Sequence, residues 1–506
     1  MKHLYTLGAA AVGLLGGVGG AHAQAFTAGN LVVSRSVYSG DASTVTVGQA
    51  LPDSKNGTTP YLAVANGAYP NVFNNASVDG SFGVTAPIFL DQITTAGVKV
   101  NTLAINPNRL VTSFASKSEI ALNLSTDGHS LSFMGYAAPV NALDVSNSNT
   151  PGTPTEPGNY VTTAPTYRTI AQVDASGNMQ TTNTSAYSGN NGRAAIYDSA
   201  NNDYLTVGNA GNGSGSDAIT AETGVQLVTP GQNPTSLKVG NYSITQNGSA
   251  ADKTAKDNNF RGETVFNNTL YVSKGSGGNG INTVYQVGAA GSLPTAANAA
   301  GASISILPGF STTLASSKTG NVFHPFGLFF ANPTTLYVAD EGNQSLSDTA
   351  ANNLNAGLEK YSLINGSWTL DYTLQAGLNL DQMYGVAGLP AQLDPATDGL
   401  RNLTGTVNSD GSVSLFGITS TVSASGDQGA DPNKLVGITD TLAFTTLGQA
   451  ANESFTTLQS AGYGEVLRGV AFAPTPVPVP EAPSSALLGA GILGLLGVFL
   501  RKRLAA

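Results

Sequence analysis

The chain has 506 residues, of which only 10% are charged, whereas glycine alone contributes 61. Its formal net charge of −10 argues against binding to nucleic-acid phosphates and against electrostatic adhesion to anionic membranes. The absence of cysteine excludes disulfides, thiolate metal sites and cysteine nucleophiles. Many glycines and few charged residues are typical of short strands joined by turns, so we expect a β-fold with little helix.

The first 23 residues are typical of a secretory signal. Lys2 precedes an apolar segment at 7–18, and the small residues of 21–23 end directly before Gln24. The pattern predicts that residues 1–23 are removed on export. A buried N-terminal helix is the alternative, but the many glycines in the segment disfavour a stable helix.

A strand–turn–strand unit recurs through residues 24–474, which we assign to a single domain. Its clearest copy, 324–342, has apolar runs at 326–331 and 336–339 on either side of a turn with Asn332 and Pro333. The copies recur about every 65 to 75 residues, a spacing typical of a repeat architecture. The six copies lie at 118–134, 192–207, 261–273, 324–342, 400–416 and 467–472.

Further strand-like segments follow most copies, so each unit has the four strands of a propeller blade. The last unit has only its first strand, and segments 30–37, 87–92 and 98–105 can supply the other three. We therefore predict an all-β propeller of six four-stranded blades whose closing blade is shared between the termini. Such closure leaves no open sheet edge. Seven blades are the alternative if one diverged unit is hidden.

Arginine occupies the same place, at the start of the first strand, in four of the six copies. These residues are Arg193, Arg261, Arg401 and Arg468. Because the first strand of a blade lines the channel, we expect a ring of guanidiniums that binds carboxylate, sulfate or phosphate. The alternative is that each arginine bonds backbone carbonyls or an acidic neighbour such as Glu263 or Glu465. In copy 324–342 Pro325 and Phe326 take the arginine position, and His324 is the nearest substitute.

Metal and catalytic signals are weaker. Asp340 and Glu341 place oxygen ligands in a loop, so calcium is a candidate cofactor, with turn capping as the alternative. Zinc is disfavoured because only His129 and His324 would remain after signal removal. We predict no catalytic residues and leave open whether the protein is an enzyme.

The C-terminal end predicts a membrane segment. Residues 475–483 form a proline-rich linker, and 484–500 are uncharged and largely apolar. The basic residues Arg501, Lys502 and Arg503 follow. The pattern predicts a hydrophobic helix over 484–503 whose basic end stays in the cytoplasm and whose preceding domain lies outside it.

This end resembles a PEP-CTERM sorting signal of Gram-negative bacteria. Pro480 and Glu481 match the motif, and Ala482 replaces its second proline. The resemblance implies an exosortase and the secretion machinery as partners. It also implies transient anchoring in the inner membrane and a final location in the cell envelope or outside the cell. A permanent single-pass anchor is the alternative.

The domain itself resembles an uncharacterised family of secreted propeller-like proteins. The matching segments are 30–33, 89–91, 173–177, 336–340 and 467–472. The resemblance supports the expected fold and export, and the family supplies no activity to carry over.

Two functional hypotheses remain open at this point. The first is a non-enzymatic binding or structural protein of the extracellular matrix, whose partner is an exopolysaccharide or another surface component, as the sorting signal implies. The second is a propeller hydrolase or lyase that acts on an anionic substrate through an arginine-lined channel.

Overall fold

A computed structural model of the chain contains six four-stranded antiparallel sheets, and they form a six-bladed β-propeller. The structure describes residues 25–38, 50–51, 61–65, 73–75, 83–113, 119–153, 164–211, 221–231, 234–240, 258–275, 279–315, 323–346, 353–424 and 429–478. The predicted signal, the sorting motif with Pro480 and Glu481, and the apolar C-terminal helix lie outside these residues. Within them, no helix is long and apolar enough to cross a membrane.

The strands that precede the first complete blade belong to the closing blade and to two small sheets. They are β1 (Leu31–Val37), β2 (Ala50–Leu51), β3 (Tyr61–Ala65), β4 (Phe73–Asn75), β5 (Thr85–Ala86), β6 (Ile88–Ile93), β7 (Lys99–Ala104) and β8 (Thr112–Ser113). Strands β2 to β4 pair with one another, and β5 pairs with β8. The sequence pattern had not indicated either small sheet.

Blades 1 to 5 each use consecutive strands. Blade 1 contains β9 (Asn123–Leu124), β10 (Ser130–Tyr136), β11 (Arg168–Asp174) and β12 (Met179–Thr184). Blade 2 contains β13 (Gly192–Asp198), β14 (Asp203–Gly208), β15 (Gly224–Val228) and β16 (Leu237–Lys238). Blade 3 contains β17 (Glu263–Phe266), β18 (Thr269–Lys274), β19 (Thr283–Val287) and β20 (Ile304–Ile306). Blade 4 contains β21 (Pro325–Asn332), β22 (Thr335–Asp340), β23 (Gly357–Ile364) and β24 (Ser367–Leu374). Blade 5 contains β25 (Ala396–Val407), β26 (Ser412–Val422), β27 (Lys434–Thr441) and β28 (Thr456–Ser460).

Blade 6 joins the two ends of the chain. Its innermost strand, β29 (Glu465–Phe472), pairs with β1, and β6 and β7 complete the sheet. Leu31 pairs with Phe472, and Ser36 pairs with Val466. The prediction of six blades with a closing blade shared between the termini is therefore confirmed. The three N-terminal strands each lie within one residue of their predicted bounds.

Hydrophobic side chains are buried between neighbouring blades. In one such contact, Ile88 and Leu90 of blade 6 lie in the same cluster as Leu131 and Phe133 of blade 1. Comparable clusters occupy the other five blade-to-blade contacts. Because each blade buries its faces against its neighbours, the ring is stabilised by repeated packing.

The two faces of the propeller carry different connections. The hairpins between first and second strands are short, as at 267–268, where two asparagines with φ of 46° and 54° make the turn. Connections from second to third strands are longer, as at 137–167 and 341–356. We call the two sides the hairpin face and the loop face. The innermost strands of all blades begin at the loop face.

Both described ends of the chain lie at the hairpin face. The Thr475 backbone N–H donates to the Gly128 carbonyl at 3.0 Å, and the His129 imidazole lies 2.9 Å from the Thr475 carbonyl. The Phe26 N–H donates to the Ala175 carbonyl in another turn on this face. The last described residues, around Thr475, therefore lie on the side opposite the start of the innermost strands.

Candidate functional site: an arginine cluster at the loop end of the channel

A β-bulge interrupts the innermost strand at each of the four arginines. Strand pairing shifts register at Arg193, at Arg401 and at Arg468. At Arg261 the N–H of the arginine donates to the Ser273 carbonyl, and the Ser273 N–H donates to the next residue, Gly262. A bulge bends a strand and redirects its side chains, so it positions these arginines differently from the residues of a regular ladder.

The residues after the bulges allow the innermost strands to approach closely. A Cβ atom on Gly262 would lie 2.1 Å from the Phe326 carbonyl oxygen, so only glycine fits there. The Ser273 hydroxyl accepts the Gly262 N–H at 3.0 Å and donates to the Phe326 carbonyl at 2.6 Å. These contacts fix the backbone that carries Arg261.

The same bridge recurs where the ring closes. The Ser34 hydroxyl accepts the Gly469 N–H at 2.7 Å and donates to the Ile120 carbonyl at 2.6 Å. A Cβ atom on Gly469 would lie 2.3 Å from the Leu122 nitrogen. Arg468 is therefore held by the contact between blades 6 and 1, as Arg261 is by the contact between blades 3 and 4.

The arginines at these bulges are largely withdrawn from solvent. Exposure is 3% for Arg193, 4% for Arg401 and 2% for Arg468, while Arg261 is partly buried. Removing a guanidinium from water is costly unless other groups compensate its charge. The partners of these arginines therefore decide what the cluster can do.

The positive charge of Arg261 interacts unfavourably with Arg193, and that of Arg401 with Arg261. Burial lowers the pKa of Arg193 well below its usual value, and the charge of Arg261 lowers it further. Burial also lowers the pKa of Arg261; the charge of Glu341 opposes this shift and that of Arg401 adds to it. The structure thus brings together guanidiniums from blades 2, 3 and 5.

Two buried carboxylates supply negative charge beside the cluster. Glu341 Oε2 accepts from Arg401 Nε at 3.0 Å, and its Oε1 accepts from Gln344 at 3.2 Å. Glu119 accepts from the Thr112 hydroxyl at 2.8 Å, from a backbone N–H and from the Tyr136 hydroxyl. Burial raises the pKa of Glu119, while these hydrogen bonds and the charge of Arg468 oppose the rise.

Some guanidinium donors have no partner among the described residues. Arg193 Nη1 donates to the Phe260 carbonyl at 3.0 Å, but its buried Nε has no hydrogen-bond partner. The Nη2 group of Arg401 is also buried without a partner. Buried donors in native proteins are nearly always satisfied, so these two point to a group that the described residues do not supply.

The remaining predicted residues lie apart from the guanidiniums. The His324 backbone N–H donates to Asp340 Oδ2 at 2.6 Å, and no described contact joins its imidazole to an arginine. Asp340 also accepts the Gly342 N–H at 2.8 Å, so its carboxylate caps the turn. Within the described residues, no group of three or more His, Asp or Glu side chains could hold a metal ion.

The acidic partners differ from those suggested by the sequence. Glu465 pairs with Arg35 at 2.6 Å, and neither carboxylate oxygen of Glu263 has a partner in the described structure. Sequence reasoning missed Glu119 as a neighbour of the cluster and considered Glu341 only as a metal ligand. The position of Glu341, one residue after β22 on the loop face, was the available signal.

Comparisons with known proteins add little to this picture. No family profile matches the chain, and no curated protein matches it. A Lactobacillus plantarum protein is 10% identical with a TM-score of 0.31, over 88% of this chain and 99% of that one. The parainfluenza virus 5 hemagglutinin-neuraminidase ectodomain is 9% identical with a TM-score of 0.31, over 89% of each chain. PhoX of Pseudomonas fluorescens, in complex with vanadate, is 11% identical with a TM-score of 0.29, over 87% and 89%. These values carry no functional argument, and the propeller architecture rests on the strand order of this chain.

Proposed function

We propose that this protein is an exported β-propeller that binds an anionic ligand between Arg193, Arg261 and Arg401. In this role it is a binding component of the cell envelope or extracellular matrix. The observation that carries the proposal is the approach of these buried guanidiniums, with open donors on Arg193 and Arg401.

The physical reason is that arginine cannot relieve repulsion by losing its proton. A buried lysine can become neutral, whereas the guanidinium remains charged at any physiological pH. Repulsion between Arg193 and Arg261 is then offset best by an anion that accepts hydrogen bonds from both. Carboxylate, sulfate and phosphate fit because their oxygens match the planar donor groups of arginine.

Binding is better supported than catalysis. Glu119 and Glu341, the acidic groups closest to the cluster, already accept hydrogen bonds from two or more neighbours each. Both carboxyl groups are therefore held in place by their hydrogen bonds. The hypothesis of a hydrolase or lyase uses the same arginines, and a phosphatase and esterase screen with added calcium would test it.

Export is proposed from the sequence at both ends, and the geometry gives it an orientation. The last described residues lie at the hairpin face, so a tail held in the membrane would leave the loop face directed away from it. The arginine cluster would then face the matrix, where an acidic exopolysaccharide could reach it. Mass spectrometry of the secreted protein should find Gln24 as its first residue. Retention of residues 1–23 would contradict export by this signal.

Thermal unfolding in different anions tests the binding site. At constant ionic strength, phosphate, sulfate or glucuronate should raise the melting temperature of the wild type relative to chloride, because a ligand that binds only the folded state stabilises it. Arg193→Gln and the double variant with Arg261→Gln should lose this gain. Arg109→Gln removes the charge of an exposed arginine and should retain the gain in melting temperature. An equal gain in all variants, or none in the wild type, would refute the site.

A further inference from the structure

A second feature of the channel lies beyond the arginine cluster. A cavity of about 470 Å³ occupies the channel between the arginine positions and the hairpin face. Residues from all six blades line it, beginning directly after the bulges, as at Gly262 and Asn402, and ending at the hairpins, as at Thr126 and Asn267. None of the four arginines lines it. The cavity is therefore separate from the proposed anion site.

The lining is polar but almost free of charge. Amide and hydroxyl side chains come from several blades, and they include Asn123, Thr126, Thr264, Asn267, Asn402 and Thr404. Phe329 also belongs to the lining, and its ring packs against the hydrophobic cluster between blades 4 and 5. The lining residues all belong to the described chain, and Glu263 is the one ionisable side chain among them. Such a surface offers many hydrogen bonds and little attraction to an ion.

Glu263 is the unusual member of this lining. The residue is 6% exposed, and both of its carboxyl oxygens are buried without a hydrogen-bond partner in the described structure. Burial raises its pKa well above the usual value, which favours the neutral acid. A native protein rarely leaves a buried carboxyl group unsatisfied, so its partners are expected from a molecule in the cavity.

We propose that the cavity binds a neutral, polyhydroxylated ligand of monosaccharide to disaccharide size, with Glu263 and the surrounding amides and hydroxyls as its hydrogen-bond partners. The volume lies in the range of small-ligand pockets, about 300 to 1,000 Å³. A sugar presents several hydroxyls that both donate and accept, as this lining requires. This site does not depend on the anion site.

Saturation-transfer NMR and calorimetry with glucose, galactose, maltose and lactose test the proposal on the wild-type protein. At least one of these sugars should bind, and Thr264→Val should weaken it by about threefold to tenfold through loss of one hydroxyl. Glu263→Gln keeps hydrogen-bonding capacity and should retain binding. Glu263→Leu fills the same space without polar atoms and should weaken binding at least tenfold.

Two controls separate this site from the anion site and from misfolding. Arg193→Gln should leave sugar binding unchanged while it removes stabilisation by anions. Glu263→Leu should be folded and at least as stable as the wild type, because it removes a buried acid without partners. Failure of all four sugars to bind, or equal binding by Glu263→Leu, would overturn the proposal.

Discussion

Two buried groups of charge in this propeller differ in how completely they are satisfied. Between blades 4 and 5, Lys360 Nζ lies 2.7 Å from Asp440 Oδ2, 3.0 Å from the Tyr372 hydroxyl and 3.0 Å from a backbone carbonyl. The hydroxyls of Tyr337 and Tyr372 also donate to Asp440. Lys360 and Asp440 satisfy each other there, and the Glu453 carboxyl group lies beside Asp440 and accepts the Thr441 N–H. In the arginine cluster, several cations meet and some donors remain open, so burial of a cation alone does not mark a ligand site.

The first test removes the cation of the buried Lys360–Asp440 pair. Lys360→Met should lower the free energy of unfolding by about 3 to 5 kcal/mol, because it leaves Asp440 buried without its cation. Urea unfolding measures the effect. The double variant Lys360→Met with Asp440→Asn should recover much of the loss, and anions should rescue neither variant. A decrease in the free energy of unfolding below about 1 kcal/mol would show that this ion pair contributes little to stability.

The second test concerns the close packing of the innermost strands beside Arg261. Gly262→Ala should cost about 1 to 3 kcal/mol, because the new methyl group would meet the Phe326 carbonyl and force the backbone apart. Gly448→Ala is a matched control, since no atom lies within 4 Å of its added Cβ. Equal unfolding curves for the two variants would argue against close contact between the innermost strands.

The third test uses pH beside the cluster. Burial raises the pKa of Asp398 to about 7, and the charges of Asp381 and Glu341 contribute to the rise. The carboxylate accepts from the Gln344 N–H at 2.8 Å and from the Asn353 amide at 2.9 Å. The folded state holds this proton more tightly than the unfolded state does. The free energy of unfolding should therefore fall by about 1.4 kcal/mol for each unit by which the pH rises between about pH 4 and 7.

Asp398→Asn should remove this contribution, so the difference in unfolding free energy between wild type and variant should change with pH over that interval and become constant above it. Urea unfolding at a series of pH values measures the difference. A difference independent of pH would contradict the raised pKa of Asp398.

The smallest expected effect comes from replacing single arginines of the cluster. Arg193→Gln should raise stability by about 1 kcal/mol in buffers without multivalent anions, because it removes repulsion with Arg261. Arg401→Gln should instead destabilise, since it leaves Glu341 without its ion pair. Urea unfolding in chloride compares the two. Destabilisation of similar size in both variants would indicate that Arg193 is structural.

The number and spacing of the strand-like segments predicted the architecture because each blade repeats one pattern. Apolar runs at regular intervals located the hairpins, and three unpartnered N-terminal strands predicted the closing blade. The first strand of blade 1 is shorter than its predicted run because Ile120 has a φ of 50°, which no apolar pattern indicates. The repeat also singled out the four arginines, and the ring of guanidiniums that it suggested stays a prediction.

The partners of the arginines could not be read from the same pattern. Glu119 precedes the first strand of blade 1 and Glu341 begins the 341–356 connection of blade 4, and their positions depend on contacts between blades. Arg168 shows the limit clearly. It is fully buried and donates only to the carbonyls of Ser146, Thr166 and Asn190 in the described structure, so it is a structural arginine that no repeat position reveals.

A crystal structure of the protein grown with selenate tests the central claim most directly. The account predicts an anomalous selenium peak within hydrogen-bonding distance of the Arg193 and Arg401 guanidiniums, with Arg193 Nε and Arg401 Nη2 among its donors. A structure in which protein groups satisfy both donors, and in which selenate binds elsewhere or not at all, would contradict it.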